Sequence, residues 1–283
     1  MTTEVQRGEL ERQATLTAAA FEDLLTAAQH AADMVSAGRH ARRKAGRSDT
    51  FWQFRDYAQG DPAASVDWRQ SARLDQRLLV RQTEWEQPQK LLLWCGGGED
   101  FDYAGPDRPS KRFRGQVLAL AAGLLALRGG EQVGLWGSSE PARAGAQTLG
   151  SIAQGLLRED IPLAAPEPVP GATLLLVSDF HQPPEELKRA FAKAKTTRGT
   201  AVAVVGEDPD EEHFSYQGST RFEGSRGQAA KTFGEASAVR SAYMLTRTAH
   251  HDALKSSVGG GDNRLYFHRT DGQLMPLLQE ITA

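Results

Sequence analysis

The sequence contains a single cysteine, Cys95, which excludes any intrachain disulfide and suits a reducing compartment. Long hydrophobic runs are also missing. The most apolar helical stretch, 117–127, is about half of the roughly 20 residues needed to cross a bilayer. The first residues, MTTEVQRGELERQ, are charged and carry no apolar signal-peptide core. No membrane insertion and a cytoplasmic location are therefore expected. Neither charge sign dominates: 33 Lys and Arg face 36 Asp and Glu, a net of −3, so no global attraction to nucleic acid arises. A Ser-His-Asp set, zinc-ligand spacing, a dinucleotide-binding glycine fingerprint and internal repeats are all absent from the sequence. No catalytic residue is expected on these grounds.

What is present is the make-up of an ordinary globular protein, 40% hydrophobic and 24% charged, and long enough for a large α/β domain with an extension. The most distinctive stretch is 48–86, which holds three of the five tryptophans among paired acids and arginines. It reads Phe51-Trp52-Gln53-Phe54-Arg55-Asp56-Tyr57, then Gly60-Asp61, Asp67-Trp68-Arg69, Ser71-Ala72-Arg73, and Val80-Arg81 with Glu84 and Glu86. Ordinary strands alternate apolar and polar residues without such motifs. Guanidinium groups can lie on indole faces while bonding carboxylates, so one expectation is a compact polar–aromatic network. The other is a set of edge strands with solvated charges.

Before this stretch, apolar residues from Leu16 to Val35 recur at helical spacing and predict a helix over 15–37. A basic run from Arg39 to Arg47 follows. It has no interleaved aromatics for base stacking, so a solvated loop is favoured over a phosphate, nucleic-acid or acidic-partner site. After Pro88 the pattern becomes strand–helix alternation. Strands are predicted at 91–95, 132–136, 173–180, 201–205 and 264–268, and helices at 112–128, 147–157, 183–198, 236–257 and 272–281. The segment 208–231 reads as an irregular polar loop with a short edge strand near Arg221 and Phe222. The fold class expected is α/β, a doubly wound, mostly parallel sheet preceded by an N-terminal helix and a β-rich extension. The domains would be 1–87 and 88–283.

In open α/β sheets ligands bind outside the carboxyl ends of the strands. Two such ends stand out, Cys95-Gly96-Gly97-Gly98-Glu99-Asp100 and Ser178-Asp179-Phe180. The triple glycine lacks the immediate helix and Gly-Lys-Ser/Thr ending of a phosphate loop. Cys95 reads as a small buried hydrophobe. His250 and His251, adjacent on a predicted helix, point about 100° apart and read as helix surface.

The ordered motifs of 51–86 resemble the signature of the domain-of-unknown-function family 58. That resemblance implies a von Willebrand factor A-like domain of the short, soluble type. It also implies a bacterial protein associated with MoxR-type AAA+ ATPases, working as a non-enzymatic adaptor in protein assembly or maturation. Von Willebrand A-like domains often hold magnesium through an Asp-x-Ser-x-Ser motif after the first strand and an aspartate after a later one. Here the motif falls on Gly96, Gly98 and Asp100, with Asp179 as the later aspartate. The two glycines supply no side-chain oxygen, so a degenerate site is expected. No cofactor is implied beyond a weak magnesium ion at Asp100, Asp102 and Asp179. The alternative is a metal-dependent binder or hydrolase using Asp100 and Asp179.

Overall fold

A computed structural model describes residues 18–36, 51–58, 66–73, 77–83, 89–158, 162–163, 169–223 and 229–282. In chain order the elements are helix α1 (18–36), strand β1 (Phe51–Asp56), the one-turn helix α2 (Trp68–Ser71) and strand β2 (Leu79–Thr83). Strand β3 (Lys90–Cys95), helix α3 (Lys111–Arg128), strand β4 (Gln132–Leu135) and helix α4 (Thr148–Leu157) follow. Next come β5 (Ala172–Ser178), α5 (Pro184–Thr196), β6 (Thr200–Glu207), the short helix α6 (Pro209–His213), and β7 (Thr220–Phe222) with β8 (Lys231–Phe233). Helix α7 (Arg240–Ser257), strand β9 (Arg264–Arg269) and helix α8 (Leu274–Ile281) complete the chain. Among the described residues no helix is long and apolar enough to cross a membrane.

The chain divides into two compact units, one of residues 39–88 and one of residues 1–38 with 89–283. In the first, β1 pairs antiparallel with β2, Arg55 opposite Val80 and Asp56 opposite Leu79. Asp67 caps α2, its Oδ1 accepting from the backbone N–H groups of Arg69 and Gln70 at 3.1 and 3.0 Å. The Ser71 hydroxyl donates to the Asp67 carbonyl at 2.7 Å and accepts from Leu79 N–H at 2.8 Å, tying the turn to β2. A buried polar–aromatic network, as expected around Asp67-Trp68-Arg69, is not seen among the described residues: Trp68 is 62% exposed, and Arg69 and Arg73 are exposed. The physical reason is that the Asp67 carboxylate is engaged by the helix start. The side chains of Phe51, Trp52, Arg55 and Arg81 lie outside the described part. So do Gly60, Asp61, Glu84, Glu86 and the basic run 39–47.

The second unit is a mixed α/β structure around a five-stranded, wholly parallel sheet, in order β4-β3-β5-β6-β9. Alternate residues of the central strands face opposite sides. Leu91, Leu93, Leu175, Val177, Val202 and Val204 enter one core with residues of α1, α3, α4 and α8. Leu92, Trp94, Leu174, Leu176, Ala203 and Val205 enter the other with residues of α5 and α7. Both faces are covered, which is why these strands read as continuous apolar runs. Helix α3 is buried from Gly115 to Leu127 because the sheet and three helices surround it. The sequence pattern groups α1 with the signature stretch in residues 1–87. The structure places it instead in the α/β unit, where Leu24, Ala28, Ala32 and Val35 are fully buried against α3 and its neighbours.

The chain enters the sheet at β3, passes outward to β4, and returns to β5 on the other side of β3. The strand order therefore reverses between β3 and β5, the place where open α/β sheets form a crevice at the strand ends.

Candidate functional site at the strand ends

Beyond the carboxyl ends of β3, β5 and β6 the structure opens a cleft of about 1110 Å3. Its floor is built from Glu99, Asp100, Asp102 and Tyr103 after β3, Asp179 and His181 after β5, Glu207 at the end of β6 and Glu211 in α6. Helix α7 supplies one wall through Tyr243, Arg247, His250 and His251. An aromatic cluster forms another: Phe214 packs edge-on to Tyr216 at 5.3 Å and against Tyr243 at 5.1 Å, with Phe222 beyond. Such offset and edge-on pairs are the favoured aromatic geometries.

Each strand end is held by its own chemistry. After β5, Phe180 takes a left-handed backbone (φ 51°) and is buried, which turns the chain sharply out of the sheet and ends the strand before the predicted 180. After β6, Asp208 caps α6 in a capping box, accepting from Asp210 N–H at 2.9 Å while Glu211 accepts from Asp208 N–H at 3.1 Å. The segment 208–231 carries the short strand expected near Arg221 and Phe222, as β7, and, beyond that expectation, the helix α6. Strand β7 pairs antiparallel with β8, Thr220 standing opposite Phe233.

Ion pairs dominate the cleft floor. Lys111, at the first position of α3 with its side chain fully buried, reaches Asp179 Oδ2 at 3.2 Å and Glu211 Oε1 at 2.7 Å. Burial works against its charge, but the two carboxylates outweigh burial and hold the ammonium above the usual lysine range. Arg112 pairs with Asp102 at 3.1 Å. Glu207 accepts from Arg247 at 2.7 Å and contacts His251 Nε2 at 2.8 Å. Burial opposes ionisation of Glu207, yet the His251 hydrogen bond and the Arg247 charge keep its carboxyl below the usual range. His181 Nδ1 lies 3.5 Å from Asp179 Oδ2 and 3.9 Å from Asp100 Oδ2, and its ring meets His250 edge-on at 5.9 Å. Burial, then the neighbouring His181 and His251, lower the His250 imidazole below its ordinary value. The hydroxyls of Tyr103 and Tyr216 share a hydrogen bond at 2.7 Å.

The structure thus brings Asp100 and Asp179 to one cleft, as the strand-end rule anticipates, but gives both glycines of the motif backbone and packing roles. Gly96 is buried, and a Cβ there would stand 2.3 Å from Ser178 Oγ and 2.8 Å from Ser178 Cβ. Gly98 carries φ 114°, a conformation that favours glycine. The donor set does not fit an octahedral magnesium ion. Asp179 is engaged by an ammonium, Asp102 by a guanidinium, and among the described residues no group of three or more His, Cys, Asp or Glu is disposed to hold a metal. Burial pushes the Cys95 thiol up to about 12, far from the range of a reactive thiolate.

Sequence reasoning missed several of these residues. His250 and His251 are not helix surface: both line the cleft, and His251 is only 16% exposed in its side chain beside Glu207. Asp208-Pro209-Asp210-Glu211 is a capping-box pattern that the sequence does display. Lys111 also left a signal. A cation at a helix N-terminus opposes the helix dipole, so an unexpected lysine there points to carboxylates supplied from elsewhere.

A model of the family described as "Protein of unknown function DUF58" matches residues 53–253. Searches of curated proteins and of solved structures find no match.

Proposed function

Because the chain belongs to the DUF58 family, whose description assigns no activity, we propose from the cleft itself that it is a non-enzymatic protein-interaction module. In this proposal the α/β unit is von Willebrand factor A-like, and the cleft at the ends of β3, β5 and β6 is its contact surface. The partner is a MoxR-type AAA+ ATPase, the setting is the cytoplasm of a bacterium, and the role is that of an adaptor in assembling or maturing other proteins. No nucleic acid and no membrane insertion enter the proposal.

One observation carries it. The cleft is large and aromatic-walled, and two of its ionic clusters are matched internally, Lys111 with Asp179 and Glu211, and Arg247 and His251 with Glu207, while the buried Nε2 of His250 has no hydrogen-bond partner among the described residues. Groups satisfied in this way favour a fixed, preorganised surface over proton transfer, which needs groups poised near the working pH. Nucleophilic chemistry finds little support either: the Cys95 thiol is pushed up, and the Ser178 hydroxyl donates to Asp179 Oδ1 at 3.4 Å and accepts from Phe180 N–H at 3.2 Å. The rival proposal, metal-dependent binding or hydrolysis through Asp100 and Asp179, is disfavoured by the ammonium on Asp179. Binding then relies on shape and fixed charges.

The test measures affinity for a MoxR-type ATPase from the same organism, its own nucleotide site already loaded, across ionic strength and in excess chelator. Retained binding in chelator, weakening with salt and with charge reversal at the exposed rim residues Glu99 and Glu223, is the expected pattern. Binding that is lost on chelation, and restored by magnesium in proportion to occupancy of this chain, would overturn the proposal.

A further inference from the structure

Lys111 occupies an electrostatically unfavourable place. It begins α3, where the helix dipole repels a cation. Its side chain is fully removed from solvent, which is costly for an ammonium unless partners are close and well placed. Those partners come from two other strand ends: Asp179 follows β5, and Glu211 lies in α6 after β6, 68 and 100 residues away in sequence. The Tyr103 ring lies beneath the ammonium, 5.9 Å from nitrogen to centroid. Two carboxylate oxygens thus converge within 3.2 Å of one positive point. Calcium takes oxygen ligands at about 2.3–2.6 Å and magnesium at about 2.0–2.1 Å, so a modest contraction of this arrangement is what a divalent ion would require. Asp100 and His181 stand next to Asp179 on the same floor.

We propose that Lys111 is the built-in cation of the cleft: its ammonium takes the place between Asp179 and Glu211 that an exchangeable metal ion would need, so that lysine and ion exclude one another. The charge of the floor is then fixed by the sequence rather than by ion supply, and the start of α3, the end of β5 and α6 are joined at one point under all ionic conditions. Removing the amine opens a divalent-cation site made of Asp179 and Glu211. The exclusion holds whatever partner the cleft meets.

The full chain is titrated with Mn2+, reading free ion by electron paramagnetic resonance and stability by thermal unfolding. Lys111→Ala leaves both carboxylates and an open space; Lys111→Met leaves the carboxylates but fills the space. The Ala variant is expected to bind Mn2+ at least about tenfold more tightly than wild type, as carboxylate ligation of a hard cation allows, and to gain thermal stability from the ion. The Met variant, and the Ala variant combined with Glu211→Gln, are expected to lose that gain. Wild type binding Mn2+ as tightly as the Ala variant, or a folded Ala variant that gains nothing, would overturn the proposal. If the Ala variant does not fold, wild-type protein decides. The Lys111 side-chain ammonium signal should be broadened by Mn2+ no more than those of surface lysines; selective broadening at Lys111 would show that ion and lysine share the site, against the proposal.

Discussion

Arg108 and Asp208 meet as a two-pronged pair, Nε 3.2 Å from Oδ2 and Nη2 3.0 Å from Oδ1. The Asp208 carboxylate is fully buried and also accepts from Gly105 N–H at 3.2 Å, Asp210 N–H at 2.9 Å and the Thr270 hydroxyl at 3.0 Å. One side chain thereby joins the loop before α3, the start of α6 and the end of β9. Burial opposes its charge, but the backbone N–H groups and Arg108 outweigh burial and hold its carboxyl below the usual range.

Asp208→Asn puts an amide donor among these donors and takes from the Arg108 guanidinium one of its two carboxylate partners, Asp210 being the other. Breaking a buried pair from one side costs about 3–5 kcal/mol, and a loss of that order in urea unfolding is expected. Arg108→Ala should cost less, since that side chain is 23% exposed. A loss below about 1 kcal/mol for Asp208→Asn, the range of surface substitutions, would show the hub to be dispensable.

Acid should weaken the fold through His268. Its Nε2 accepts from Arg114 Nε at 3.4 Å, and burial, then the Arg114 charge, bring its pKa down from 6.5 to about 4, while Asp271 opposes the shift. The unfolded chain therefore binds this proton before the folded chain does. Stability is full above about pH 6.5 and falls as pH drops towards about 4, by about 3 kcal/mol. His250 shifts in the same direction and adds to the loss. His268→Gln keeps an acceptor for Arg114 and should flatten the unfolding free energy over this window. An unchanged slope would contradict the assignment.

In the signature unit, Trp68→Ala should leave the thermal midpoint near wild type, because a side chain 62% exposed has little apolar area to lose. Asp67→Ala removes the acceptor of two N–H groups and should cost about 1 kcal/mol. A larger effect at Trp68 than at Asp67, measured by thermal unfolding, would show that the indole rather than the helix cap anchors this unit.

Restoring a hydroxyl at Gly96 should damage the sheet rather than create a metal ligand. The new Cβ would collide with Ser178, and overpacking of this kind costs about 1–3 kcal/mol. Gly96→Ser is therefore expected to lower stability without any gain in magnesium affinity. Calorimetry showing tight magnesium binding by this variant would contradict the expectation.

The sheet was legible because its physics is local. Leu91 to Trp94 and Leu174 to Val177 are buried on both strand faces and so appear as unbroken apolar runs. Helix α5 announces itself by Pro184, Glu185 and Glu186 in the first turn and Lys193 and Lys195 near the end. Asp100 and Asp179 could be placed at the site from strand ends alone. Lys111, Glu211 and His251 could not, because their roles arise from groups brought together across many intervening residues. The signature stretch misled for the opposite reason: Asp67 and Trp68 suggested a tertiary network, whereas Asp67 serves its own short helix.

The most direct measurement is hydrogen–deuterium exchange of the chain, free and mixed with the proposed partner, a MoxR-type ATPase, in excess chelator. If the strand-end cleft is the contact surface, protection should gather at residues 99–103, 179–182 and 207–216. Exchange unchanged at all three segments, with protection confined to residues 39–88, would contradict the account.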